Sequence, residues 1–328
     1  AVQTPRGYDD ALWRLLCDQI GIAALSIPER FGGAGAGPLE THLVLEELGR
    51  TLTPSPLLGS GVLAAQLLLT LDDDAANARL LPGIADGRSV ASVCWAGSDG
   101  RWSTDTATVV ASSDGTLHGS THYVLDGDLA DVLLVVALDG NALALYEVDP
   151  TMPGVQRNHT PTMDLTRRLA AVTFDRTPGR RLGTSDAKSA LARVLDVVTV
   201  AQSAEQVGAM SRCLELTVDY AKTRIQFGRP IGSFQALKHR MADLHVRVEA
   251  ARSASYAAVD GTIESAAAAT YCAETFFTVA AESIQLHGGI AITWEHDAHL
   301  YFKRAQAGTQ LFGQPSDHLA RLESAVGL

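Results

Sequence analysis

One permanent cation set among helix-breaking residues is the feature of this sequence best suited to chemistry. The run Tyr220-Ala221-Lys222-Thr223-Arg224-Ile225-Gln226-Phe227-Gly228-Arg229-Pro230-Ile231-Gly232-Ser233-Phe234-Gln235 lies between two long helical patterns. Gly228, Pro230 and Gly232 break the helix into a tight connection, Arg224 supplies a guanidinium able to bind bidentately, and Ser233 stands where it can cap the next helix. Such a corner suits a pyrophosphate. A lone arginine near a helix C-terminus is more often solvated beside the last carbonyls, and only the full string argues otherwise. A second candidate, Gln285-Leu286-His287-Gly288-Gly289 followed by Trp294-Glu295, reads by itself as a glycine C-cap.

Other constellations carry less. Glu295, His296 and His299 offer a His-x-x-His spacing that could hold a metal on a helix, but no third ligand is evident, so no metal is expected and a surface or interface role is several times commoner. The run Gly32-Gly33-Ala34-Gly35-Ala36-Gly37 follows Pro28 and Phe31 rather than a strand, so it is expected to be a flexible loop and not a nucleotide cradle. There is no GxSxG, Walker or Rossmann fingerprint. Cys17, Cys94, Cys213 and Cys272 are far apart with no CxxC pair, which fits reduced, buried thiols and a cytoplasmic location better than disulfides or zinc.

Three segments must position these residues. From Asp9 to Leu81 apolar residues recur at helical spacing, as in Leu12, Leu15 and Leu16, then Leu43, Leu45 and Leu48, then Leu63, Leu67 and Leu68. Breakers at Ser26 to Gly33 and at Thr53-Pro54-Ser55-Pro56 separate those helices. From Arg88 to Gly183 the pattern changes to short β-rich runs, Ala107 to Ala111, Val132 to Ala137, Ala142 to Val148 and Ala170 to Phe174, which implies a β-domain of sandwich or barrel type. After Thr177-Pro178-Gly179-Arg180-Arg181, helical periodicity returns over Ala187 to Thr223, Ser233 to Asp260 and Ile263 to His287, long enough for a bundle. The expected class is α+β, mainly α, with an N-terminal helical domain (1–87), a middle β-domain (88–183) and a C-terminal helical bundle (184–328).

Bulk composition sets the outer limits. The chain has 328 residues, 46% of them hydrophobic, which is enough for two or three packed units and excludes disorder. The 26 basic and 37 acidic side chains leave a formal charge of -11, which disfavours nucleic acid and anionic membrane, so an anionic ligand needs a local cationic cluster. No apolar run approaches the about 20 residues of a membrane span. The chain opens at Ala1-Val2-Gln3 without a signal peptide, and part of the natural N-terminus is expected to be missing. Only Lys188, Lys222, Lys238 and Lys303 are lysines, a usage that fits a GC-rich, actinobacterial genome.

Taken together, the Tyr220 to Gln235 string, the Gln285 to Gly289 loop with Trp294-Glu295, and the openings Leu25 to Gly33 and Leu45-Glu46-Glu47-Leu48-Gly49-Arg50 resemble the acyl-CoA dehydrogenase family over nearly the whole chain. The resemblance implies that family's fold, with a C-terminal four-helix bundle, and FAD lying across a subunit interface. These two elements would serve a cofactor whose flavin ring sits mainly in the neighbouring subunit, with the paired glycines letting backbone approach the diphosphate linkage. By resemblance the cofactor contacts are Arg224, Gln226, Phe227, Gln235, Leu237, Gln285, Gly288 and Gly289.

The catalytic half of the pattern is missing. The family removes an α-proton from an acyl-CoA thioester with a glutamate while hydride passes from the β-carbon to the flavin. Carrying the pattern forward from Gly288-Gly289 through Phe302-Lys303-Arg304-Ala305 puts Phe312-Gly313 where the family has Glu-Gly. The alternative position, carried back from Gly208, falls on Val198, although Asp196 and Glu205 lie close by. Where the family has Thr-Glu-Pro before Gly-Ser-Asp, this chain reads Cys94-Trp95-Ala96-Gly97-Ser98-Asp99, and Tyr123-Val124-Leu125 replaces the strand's Trp-Ile-Thr.

No catalytic residue is therefore assigned. The chain resembles the base-lacking subunit of actinobacterial steroid-degrading enzymes, which pair with a homologous catalytic chain as α2β2 heterotetramers, down to the ending Leu311-Phe312-Gly313-Gln314-Pro315-Ser316-Asp317-His318. The expected activity is FAD-dependent oxidation of an acyl-CoA, steroid side-chain esters among them, to its α,β-unsaturated form beside that partner. The alternatives are a self-sufficient homotetramer using Asp196 or Glu205, and a scaffold without cofactor.

Overall fold

The computed structural model describes residue 4, residues 6–184 and residues 186–327. Helices come first, then a sheet, then helices again, as the α+β reading requires. The N-terminal helices are α1 (Asp10–Ile20), α2 (Pro38–Arg50), α3 (Ala65–Leu71) and α4 (Asp74–Ala85). The Asp9 carboxylate caps α1 by accepting from the Ala11 and Leu12 amides, and Gly21 closes it in the left-handed region. The glycine-rich run expected as a flexible loop is instead laced back onto the chain: Ala34, Gly35 and Ala36 donate to the carbonyls of Ala24, Ile27 and Leu25. A Cβ on Gly33 would stand 1.9 Å from the Ile27 oxygen, so that glycine serves close backbone packing rather than mobility.

The contacts group the chain into two compact units, the first comprising residues 1–41, 54–198 and 311–313. Its strands are β1 (Ala91–Cys94), β2 (Val109–Ala111), β3 (Thr116–Leu125), β4 (Val132–Asp139), β5 (Ala142–Val148), β6 (Val155–Thr160), β7 (Leu169–Pro178) and β8 (Arg180–Leu182). They form one mixed sheet in the order β6-β7-β3-β2-β4-β5-β8. One edge of β4 is shared end to end by two parallel neighbours, β1 along Val132 to Val135 and β2 along Ala137 to Asp139. The apolar β runs read from sequence are all strands. Of the strand between them, β3, only Tyr123-Val124-Leu125 was expected, through the family resemblance, because Thr116, His118, Ser120, Thr121 and His122 hide its alternation. It is a strand because β2 and β7 pair with it from both sides.

The second unit comprises residues 42–53, 199–310 and 314–328. Its helices are α5 (Lys188–Thr223, of which residues 199–223 fall here), α6 (Gln235–Val259), α7 (Ser265–His287), α8 (Ala298–Gly308) and α9 (Pro315–Val326). Met210, Cys213 and Leu214 of α5, Leu244 and Val248 of α6, Phe276 and Val279 of α7, and Tyr301 of α8 share one core. These are the four helices of the expected bundle, with α9 laid against α7. The later half of α2 crosses α5 through a glycine on each side. A Cβ on Gly208 would lie 1.8 Å from the Glu46 oxygen, and one on Gly49 would lie 2.2 Å from the Glu205 oxygen.

Polar side chains lock that crossing. Glu46 pairs with Arg252 and accepts from the Tyr256 hydroxyl at 2.8 Å. His42 meets the Ser255 hydroxyl at 3.2 Å, and Ser255 meets Ser203 at 2.5 Å. Burial drives the His42 imidazole down to about 4, against the pull of Glu46. In the first unit burial pushes the Asp126 carboxyl up to about 7, with Asp128 adding to the rise and Arg167 and Arg168 opposing it.

These two groups act in opposite directions on stability. The depressed imidazole is fully tolerated above its ordinary value of 6.5 and destabilises the fold as pH falls toward about 4. The raised carboxyl favours the fold below its ordinary 3.8 and loses that advantage as pH rises toward about 7. Each is worth on the order of 3 kcal/mol across its window, so their slopes cancel between pH 4 and 6.5. Urea unfolding of His42→Gln should show stability falling with rising pH in that window, and Asp126→Asn should show it rising. Gly208→Ala should cost about 3 kcal/mol by the same measurement, because backbone and not a pliable side chain occupies the space.

Candidate functional site

The Arg224 corner is a small hairpin standing off the end of the bundle. Ile225–Gln226 and Arg229–Pro230 form β9 and β10, pairing Gln226 with Arg229 and Ile225 with Pro230. The two-residue turn between them is Phe227-Gly228, with φ of 52° and 75°. Two positive φ values define the hairpin turn whose twist matches its strands, but a bulky residue there is strained by roughly 1–3 kcal/mol. Phe227 is also 91% exposed. The hairpin is braced from its own side: Ile231 donates to the Arg224 carbonyl at 2.8 Å, the Arg229 guanidinium lies 4.0 Å from the Phe234 ring centroid, and Phe227 meets Phe234 edge-on at 6.1 Å.

This corner is cationic and unpaired. Among the described residues Arg224, Arg229 and Lys238 have no carboxylate partner, whereas Lys222 pairs with Asp219 at 3.5 Å. The first turn of α6 begins here at Gln235 and has no side-chain cap; the Leu237 and Lys238 amides donate to the Phe234 carbonyl, which leaves the Gln235 and Ala236 amides at the positive end of the helix dipole. Ser233 does not cap it, contrary to the sequence reading: it ends a single 3-10 turn spanning Ile231–Ser233, Phe234 takes the N-cap place, and the Ser233 hydroxyl is buried without a hydrogen-bond partner.

The glycine loop stands at the same end. Tyr220, just before the hairpin, lies 4.6 Å from the ring of His287, the last residue of α7, and Thr217 donates to Ser283 at 2.8 Å. Gln285 is exposed in the last turn of α7. Gly288 has φ 67° and ψ -145°, a conformation essentially reserved for glycine. A Cβ on Gly288 or on Gly289 would meet nothing within 4 Å. The second glycine is thus not required by the chain's own packing, and its bare backbone is open to a close approach from outside. Of the eight residues singled out from sequence, Arg224, Gln226, Phe227, Gln235, Gln285, Gly288 and Gly289 are exposed at this end. Leu237 differs, leaning half-buried on the bundle core.

The positions where a base was sought are closed. Phe312 is 1% exposed and packs edge-on against Trp102 at 4.8 Å, and Trp102 meets Trp95 at 5.5 Å. The Trp95 indole donates to the Ser103 carbonyl at 2.6 Å. Val198 is fully buried. A bulge in β3 between Thr121 and Val124 turns Tyr123 outward, with φ 55°, while Val124 and Leu125 point into the interior. Of the displaced carboxylates, Asp196 sits on an exposed face of α5, and Glu205 is held by Arg304 at 3.6 Å. The imidazole of His296 accepts the Ala298 amide at 3.1 Å, and His299 packs against Trp294; among the described residues no cluster of three metal-ligating side chains occurs.

Family models agree with this geometry. Residues 188–321 match the acyl-CoA dehydrogenase C-terminal domain and residues 2–88 the N-terminal domain. The chain belongs to the acyl-CoA dehydrogenase family. It is 42% identical to acyl-CoA dehydrogenase IpdE2 of Mycolicibacterium smegmatis over 99% of this chain and 91% of that one, and 44% identical to IpdE2 of Mycobacterium tuberculosis over 99% and 90%. Among solved structures, a variant of the steroid ACAD Tcur3481-Tcur3483 superposes with TM-score 0.87 at 32% identity over 99% of this chain and 91% of that one. The ChsE4-ChsE5 complex from Mycobacterium tuberculosis gives 0.89 at 29% identity over 99% and 90%.

Membership makes the chain an oxidoreductase by family and FAD its cofactor. The corner fits that group's diphosphate on this chain's own evidence: unpaired guanidinium, uncapped helix start, bare glycine backbone and an orphaned buried hydroxyl converge at one end. The residue that sequence reasoning missed is Trp102, which fills the interior around Phe312. No spacing rule reveals it, because its partner lies far away in sequence.

A Cβ on Gly289 has open space around it, so Gly289→Ala should leave stability within about 0.5 kcal/mol while lowering FAD retention in the assembled enzyme. Arg224→Ala should weaken FAD binding about 10- to 100-fold, the worth of one charge-assisted hydrogen-bonding group. Thermal unfolding and fluorescence titration with FAD check both.

Proposed function

We propose that this chain is the base-lacking subunit of a heteromeric acyl-CoA dehydrogenase, cytoplasmic and α2β2 in arrangement, that oxidises steroid-derived CoA esters to α,β-unsaturated products. The observation that carries the reading is Phe312, buried in an aromatic cluster, at the place onto which the sequence resemblance carries the family's glutamate, together with an exposed cationic corner at the bundle end. Loss of a general base forfeits about 10²- to 10⁴-fold in rate, and here the space around that position is filled as well. The steroid class and the paired arrangement rest on the relatives: one structural neighbour is named a steroid ACAD and another is a complex of two different chains.

In this reading Arg224 and the first amides of α6 hold the FAD diphosphate, Gly288 and Gly289 admit it to their backbone, and Gln226, Gln235 and Gln285 supply hydrogen bonds around it. Phe227 covers the cofactor from the tip of the hairpin. FAD supplies the hydride acceptor, and the partner chain supplies the carboxylate for the α-proton. This chain's remaining part is to exclude water from one side of the shared site.

A homotetramer with a displaced base is disfavoured, since Glu205 is engaged by Arg304 and Asp196 lies on an exposed helix face. A scaffold without cofactor leaves the strained, exposed Phe227 and the unpaired Arg224 without purpose. The test is expression of the chain alone and together with a homologous chain that carries the glutamate, assayed on a panel of steroid and straight-chain CoA esters. The pair should be yellow and active and the chain alone inactive. Phe312→Glu in the chain alone should stay inactive, because Trp102 and Trp95 still occupy the interior; thioester oxidation by the unmodified chain alone would refute the reading.

A further inference from the structure

One guanidinium of the hairpin plays no part in the FAD reading of the corner. Arg229 opens β10 directly opposite Gln226 of β9, with Ile225 opposite Pro230. The Ile231 amide donates to the Arg224 carbonyl at 2.8 Å, which carries the pairing one step further and sets Arg224 opposite Ile231. Side chains alternate across a β-ribbon, so Arg224, Gln226 and Arg229 stand on one face and Ile225 and Pro230 on the other. Arg224 and Arg229 are then diagonal neighbours, within about 8 Å of each other at Cβ and able to reach one small anion.

Arg229 is also held ready. Its guanidinium lies 4.0 Å from the centroid of the Phe234 ring. Phe234 is a fixed platform: its amide donates to the Ile231 carbonyl at 3.1 Å, and its own carbonyl accepts the Leu237 and Lys238 amides, each at 3.1 Å. It stands at the N-cap of α6, where a hydroxyl or carboxylate ordinarily accepts a helix amide and a phenyl ring cannot. The ring serves the arginine instead. A guanidinium seated on a ring face engages it through its charge and keeps N–H groups at its rim for an acceptor. Arg224 and Arg229 are both exposed, and among the described residues neither has a carboxylate partner. Two like charges on one face of a ribbon repel, and an anion between them removes that cost.

We propose that Arg229 is a second anion-binding group of the corner and that Phe234 is a positioning residue that seats it, so that the hairpin face grips a diphosphate with two guanidiniums. The proposal deepens the FAD reading and rests on it for the identity of the anion. One phosphate satisfies one bidentate arginine. Two phosphates joined by a bridging oxygen offer an acceptor edge to each of two guanidiniums, which is what the diagonal pair requires.

Fluorescence titration of FAD onto the assembled pair, with substitutions made only in this chain, tests the grip, and thermal unfolding checks that each variant folds. Arg229→Gln should weaken FAD binding about tenfold or more, the worth of one charge-assisted contact. Phe234→Leu keeps apolar bulk and removes the ring face, so it should weaken binding about two- to fivefold, and Phe234→Tyr should restore it. Because Phe234 acts through Arg229, adding Phe234→Leu to Arg229→Gln should weaken binding no further. Arg229→Gln that binds FAD as tightly as the unmodified chain overturns the proposal. So does a full additional loss in the double variant, which would make Phe234 an independent packing residue. Arg224→Ala separates the two-guanidinium grip from the FAD reading beneath it. If Arg224→Ala weakens FAD binding and Arg229→Gln does not, the grip fails and the FAD reading stands; if neither weakens it, both fail.

Discussion

The approach of Tyr220 to His287, with the Thr217 to Ser283 hydrogen bond one turn below, is the contact on which the site depends. It sets the C-terminal ends of α5 and α7 side by side. Because the hairpin turns the chain straight back into α6, a helix start is added to two helix ends at the same place. A guanidinium, an uncapped set of amides and two bare glycines then share one end of the bundle, although some 60 residues of chain lie between them. An acidic protein thus presents a local cationic surface, which is what an anionic dinucleotide requires.

In the proposed reading, packing stands in place of the other half of the family's chemistry. Trp95, Trp102 and Phe312 are all nearly inaccessible and meet edge to face, an arrangement that aromatic pairs favour beyond the area they bury. A carboxylate introduced there would be surrounded by apolar rings and strongly disfavoured as an anion. In the proposed reading the chain keeps the part that holds a cofactor by its phosphates and has lost the part that acts on a thioester. The two features behind it, the cationic corner and the aromatic cluster, belong to different compact units.

Much of this was legible in the residues. The long helices were readable to within two residues because their apolar periodicity is sustained, and the apolar strands because β-branched runs are bounded by Gly, Asp and Pro. The corner was readable because glycine, proline and arginine each have few reasons to occur together. What was not readable depended on partners distant in sequence. Strand β3 is made by its neighbours and not by its own pattern. Ser233 failed as a cap because a single 3-10 turn shifted the helix start by one residue. The glycine-rich run looked mobile by composition, yet three amides tie it to residues 24–27.

The most direct test of the central claim is the amount of FAD per chain in the purified complex, from flavin absorbance after denaturation set against the mass of each subunit. If this chain contributes only the phosphate-holding corner and its own interior is sealed by Trp95, Trp102 and Phe312, the complex holds one FAD for each pair of unlike chains. One FAD on every chain would mean that a flavin ring fits where these three aromatic side chains stand, and would contradict the account.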